Sequence, residues 1–125
     1  MINIVNLKRT KSCIPLDRTS VLGNPFWMES ENQRTDVIQA YRRWLWSMMQ
    51  GKDDTYKIAE AYNVKISSTY KNPKPDQVKA YLLNLCAKYK EEAVLTIGCW
   101  CKPKDCHLDV VASAVQYYSC TLNTH

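Results

Sequence analysis

"AVLTIGCWCKPKDCHLDVVASAV", residues 93–115, decides how the rest of the chain is read. Its first part is short, apolar and β-branched and ends at Gly98, which reads as a strand over 93–98. Its last part opens a helix over about 106–118, with Leu108, Val111, Ala114, Val115 and Tyr118 on one face. A second strand is expected at 2–6, "INIVN", and strands alternating with helices favour a parallel pairing of the two. The expected fold is therefore a small Rossmann-like three-layer α/β domain with a short, mostly parallel sheet. In such sheets ligands bind at the carboxyl ends of strands, beside helix N-termini. The cysteine-rich joint between the strand and the helix lies at such a place.

Working outward, Val37, Ile38, Tyr41, Leu45 and Met48 recur at helical spacing over 34–50, with Trp44 and Trp46 widening the apolar stripe and Gly51 ending it. A short helix is expected within 52–64, carrying Ile58, Ala59 and Tyr62. "SSTYKNPKPD" interrupts it, because two prolines and an asparagine cannot continue a helix. Another helix is expected over 76–90, with Val78, Leu82, Leu85 and Tyr89 in register. Residues 7–33 read as one long loop, of the kind that tends to be functional. A third strand is expected either in that loop or around 64–70. No internal repeat is visible, and the whole of 1–125 is read as one domain.

Composition excludes several classes. Hydrophobic residues make up 46% and charged residues 23%, so a folded globule is the default over a disordered chain. No apolar run approaches the roughly 18 residues of a membrane span, and "MINIVNLKRT" lacks the order of a signal peptide. A cytoplasmic protein, without membrane partners, is expected. The net charge of +5 is spread among acidic residues, as in "GKDDTYK" and "KYKEE", and no nucleic-acid-binding pattern appears. Nucleic acid is not expected as a partner.

Six cysteines are too few for a disulfide scaffold, and a reducing compartment would keep them as thiols. Cys13, Cys86 and Cys120 are scattered and read as small core side chains. Cys99, Cys101 and Cys106 fall together beside His107, and three readings of that cluster stay open. A metal needs about four ligands, which these residues number, but C-x-C-x4-C-H matches no common zinc spacing. A nucleophile would be Cys106 or Cys99. It would stand near a helix N-terminus capped by Asp105, where the dipole favours thiolates and anions, with His107 as general acid or base. The plain reading is packing at a strand end. No metal and no cofactor are expected.

The loop "DRTSVLGNPFW", 17–27, gathers Arg18, Ser20 and Asn24 around Gly23, whose missing Cβ permits φ > 0 or close approach of a ligand. Asn24-Pro25 marks a turn, with Phe26 and Trp27 expected in the core. Arg18 can fork onto phosphate, and Arg34 sits in a first helical turn, against the dipole.

Taken together, "DRTSVLGNPF", the arginine before a "Y..WL" helix, and "GCWCKPKDCHLDVV" resemble a phage and bacterial family, domain of unknown function 4326. The resemblance covers roughly 1–50 and 93–118. It matches Arg18, Ser20, Gly23, Asn24, Pro25, Phe26, Arg34 and Tyr41, then Gly98, Cys99, Trp100, Cys101, Pro103, Cys106, His107 and Asp109. Residues 51–75 read as an insertion relative to it. The resemblance implies one site built by both motifs.

The expected function is binding of a small ligand, a nucleotide or phosphorylated metabolite. Arg18, Ser20, Gly23, Asn24, Arg34, Trp100, Cys101 and Asp109 would form the binding set. Thiol- or histidine-dependent transfer or hydrolysis through His107, Cys106 and Cys99 would be the chemistry, if there is any. Two alternatives stand beside it: a non-enzymatic phage-type protein that engages a host protein through its tryptophan-rich helix, and a zinc-stabilised nucleic-acid module. An exposed Trp44 or Trp46 over a filled cleft would favour the protein partner.

Overall fold

The computed structural model describes residues 1–8, 13–17, 20–100 and 106–122. Strand β1 (Ile2–Asn6) pairs in parallel with β5 (Leu95–Cys99), Ile2 opposite Leu95 and Asn6 opposite Cys99. On the other side of β5 lies β2 (Ile14–Pro15), also parallel, giving the order β1-β5-β2. The expected pairing of first and last strands is thus found, with the carboxyl ends of all three strands at one edge. A separate antiparallel pair joins β3 (Phe26–Trp27) to β4 (Lys65–Ile66). The long loop therefore holds two short strands, and the region near 64–70 holds a third.

Alternation along β5 separates its two faces. Leu95, Ile97 and Cys99 join the main core, while Gly98 points the other way. A Cβ at Gly98 would stand 2.7 Å from both Cys13 Sγ and Leu7 Cδ2, so any larger residue there would have to displace the Leu7 and Cys13 side chains.

The helices are α1 (Arg34–Met49), α2 (Thr55–Ala61), α3 (Pro75–Glu92) and α4 (Leu108–Leu122). α3 and α4 pack on each other and on β5, and α1 packs on α3 and α4. Val37, Tyr41, Trp44, Leu45 and Met48 line the buried face of α1, as their spacing requires. Trp44 is fully buried and donates its indole N–H to Thr55 Oγ1 at 3.1 Å, which ties α2 to α1. Trp46, on the opposite face, is 49% exposed. α3 begins with Pro75, and the Gln77 side chain accepts the Lys74 N–H at 2.8 Å. Two expectations for core residues fail. Trp27 is exposed while Phe26 is buried, because neighbours in a strand face opposite ways, and Cys120 is exposed on α4. Among the described residues no helix is long and apolar enough to cross a membrane.

Candidate functional site

At the carboxyl edge of the sheet the chain closes onto itself through backbone. Leu7 N–H bonds the Cys99 carbonyl at 3.0 Å, and Leu16 N–H bonds the Gly98 carbonyl at 2.9 Å. The Leu16 carbonyl then meets His107 Nε2 at 2.8 Å. A carbonyl can only accept, so Nε2 carries the hydrogen in that contact. His107 is 7% exposed, and its ring stands edge-on to Tyr41, with centroids 5.0 Å apart. Tyr41 in turn donates its hydroxyl to the Leu22 carbonyl at 2.6 Å. Burial first, and the nearby Cys106 second, raise the Tyr41 pKa well above its usual value and keep the phenol a neutral donor. The line Leu16, His107, Tyr41, Leu22 thus joins the two sequence motifs through the core.

Cys99 and Cys106 place their sulfurs 3.1 Å apart, and both are buried. Helix α4 starts at Leu108, later than expected, with His107 and Cys106 just ahead of it. Asp109 reaches back with its carboxylate to the Cys106 N–H at 3.3 Å. That amide, expected to face a ligand anion, is occupied by the chain's own carboxylate, which also suits the helix dipole. Arg34 is likewise engaged. Its Nε and Nη2 fork onto Glu31, each at 2.9 Å, which answers why an arginine is tolerated in the first turn of α1. Trp100 is 54% exposed, its indole N–H on Asp17 Oδ2 at 3.2 Å, so it does not fill the core. Arg18 and Cys101, with Pro103 and Asp105, lie outside the described residues.

The 20–26 loop is shaped by its own groups. Ser20 places both its N–H and its hydroxyl on the Asp17 carbonyl, and Gly23 N–H closes onto the Ser20 carbonyl at 3.0 Å. The Asn24 side chain accepts the Phe26 N–H at 2.9 Å, an Asx turn. Pro25 then accepts the Ser67 N–H at 2.7 Å, which docks the loop on the β4 segment. Between the two runs a cleft of about 210 Å³, with Ser20, Gly23 and Asn24 on one wall and Thr69, Tyr70, Lys71, Pro73 and Gln77 on the other.

Three expected binding residues therefore converge in one cleft. Cys99, Cys106 and His107 converge as a second, buried cluster behind Tyr41, and none of them lines the cleft. The sequence reads "SSTYKNPKPD" as a helix breaker, with a candidate strand around 64–70, and not as a wall of the site. Thr69, Tyr70 and Lys71 among turn residues were the available signal. Of the two signs set for a protein partner, Trp46 is exposed, while only the cysteine–histidine side of the expected cleft is filled.

No curated protein and no solved structure matches this chain. A family model does, across both motifs, the cleft loop, the 51–75 segment and most of α4. With residues 5–117 matched, the chain belongs to the family described as Domain of unknown function (DUF4326).

Proposed function

We propose that this chain is a cytoplasmic small-ligand-binding domain of Rossmann-like character, taking a phosphorylated metabolite or a nucleotide in the cleft between the 20–24 loop and the 69–77 segment. The observation that carries the reading is convergence. Ser20, Gly23 and Asn24 face Lys71 and, at the start of α3, Gln77, and among the described residues the lining holds a lysine and no carboxylate. Polar side chains, one cation and a helix N-terminus nearby favour an anion. The volume, about 210 Å³, lies below the roughly 300–1,000 Å³ of sites for drug-sized ligands. A phosphosugar, or the phosphosugar part of a mononucleotide, fits better than a dinucleotide. Binding rather than catalysis is central to the reading, because Cys99, Cys106 and His107 are buried and already hydrogen-bonded.

Thermal unfolding against a panel of sugar phosphates and nucleotides tests this. A ligand at a hundred times its Kd stabilises by about 2.7 kcal/mol, a Tm rise on the order of 10 °C for a domain of this size. Lys71→Ala should remove most of that rise, and Arg18→Ala should weaken it, with neither unfolding the apo protein. A panel without any shift, or a shift indifferent to Lys71→Ala, would refute the cleft as the site.

A second reading, a protein partner of the kind a phage factor meets in its host, is favoured by one observation. Trp46 stands half-exposed over an apolar groove between α1 and α4. Loss of peptide binding on Trp46→Ala is its test.

A further inference from the structure

We infer that Cys99 and Cys106 form an oxidative modification site, a dithiol that closes into a reversible intramolecular disulfide under peroxide. Their sulfurs already touch at 3.1 Å, and the backbone that carries each is fixed. Cys99 ends β5 with its carbonyl bonded to Leu7 N–H, and the Cys106 N–H is held by Asp109. Closing the bridge brings the sulfurs from 3.1 Å to the roughly 2.05 Å of an S–S bond, a movement of about 1 Å. Both residues are 2–3% exposed, which shields them from bulky disulfides and leaves peroxide, a water-sized oxidant, as the fitting reagent.

The chemistry balances in two steps. One thiol, as its thiolate, attacks hydrogen peroxide; the O–O bond breaks, a sulfenic acid forms and water leaves. The neighbouring thiol then attacks the sulfenic sulfur, the S–S bond forms, and the hydroxyl leaves with a proton as a second water. Two thiols have lost two electrons and two protons, and peroxide has gained them. Proximity decides the second step, since a resolving thiol in contact outruns further oxidation of the sulfenic acid. Beside Cys106 stand Tyr41, whose hydroxyl is donated to the Leu22 carbonyl, His107, whose Nε2 hydrogen is donated to the Leu16 carbonyl, and Asp109, whose carboxylate holds the Cys106 N–H. The bridge would join the end of the central strand to the start of α4, stiffening the edge that faces the two motifs.

The experiment uses the full chain, reduced and then given a small excess of hydrogen peroxide. Remaining thiols are alkylated after unfolding, and peptides are mapped by mass spectrometry. We expect a Cys99–Cys106 crosslinked peptide, reversed by dithiothreitol, with Cys86, buried without a cysteine neighbour among the described residues, still alkylated. A Cys120→Ser background removes bridges between copies through that exposed thiol. Single Cys99→Ser and Cys106→Ser variants should lose the crosslink and drive the surviving thiol to sulfinic acid. Three results would overturn the inference: both thiols still alkylated when Cys120 in the wild-type chain is oxidised, a dominant bridge through Cys101, or protection that vanishes on adding a chelator, which would mean a bound metal. The wild-type map decides the matter even where a variant fails to fold.

Discussion

A fully buried phenol needs an acceptor, and Tyr41 gives its proton to the Leu22 carbonyl while its ring takes the edge of His107. Tyr41→Phe keeps the ring and strands that carbonyl, so stability should fall by about 1–2 kcal/mol. The pH dependence separates this loss from general damage. The folded-state pKa of Tyr41 is raised above the ordinary 10.0, chiefly by burial and then by Cys106. Below pH 10 both folded and unfolded forms keep the proton, and the wild type holds its full advantage. Above it the unfolded chain ionises while the folded one resists, so wild-type stability declines with rising pH. The variant lacks that decline. Urea midpoints for the two proteins should therefore differ most near pH 7 and draw together above pH 10. A gap that stays constant through pH 11 would mean Tyr41 is not held neutral.

At the scale of elements, α3 ends on Ala93 with φ at 60°, a left-handed residue that still carries a Cβ. Only backbone is used there: its N–H bonds Tyr89 O, and its carbonyl accepts from the Met1 amine at 2.7 Å. Ala93→Gly keeps both bonds and relieves the clash, offset in part by a looser unfolded chain. The expected gain is about 1 kcal/mol in chemical denaturation, and a loss would show the Cβ packs usefully. The same cap explains what sequence could and could not specify. Helices α1, α3 and α4 were readable because 15 to 18 residues repeat one face many times. Strands β2, β3 and β4 have two residues each, too few for any period; Ile14 is a strand residue only because Ile97 stands beside it. The start of α4 moved because Asp109 caps backward onto Cys106, a contact that residue order alone does not dictate.

Across the whole molecule, the sequence brought the two motifs to one end but could not say which groups would meet inside and which would line a surface. Ser20 and Asn24 reached the cleft, whereas Arg34 was claimed by Glu31, a partner three residues away that any helix would offer. The seam where α1 meets α4 at the surface poses the same question. Leu45, Met49, Val110 and Ala114 floor a groove of about 210 Å³ between α1 and α4, with Trp46 and Tyr117 exposed along it. Arg42 lines this groove and, with Arg43, Trp46 and Tyr62, an adjoining depression; among the described residues neither lining contains a carboxylate. An aliphatic floor suits an apolar side chain better than a base, and two arginines suit neighbouring acidic residues, so on the proposed partner reading the peptide to test is acidic with one large apolar anchor. Calorimetry with such peptides should give binding that weakens with salt and falls at least tenfold, about 1.4 kcal/mol, in Trp46→Ala. Arg42→Ala should flatten the salt dependence, and the thermal shift from phosphate ligands should survive both changes, since the cleft is lined by other residues. Unchanged affinity in Trp46→Ala would sink the partner reading, as would a dimer of the free chain that dissociates on that substitution.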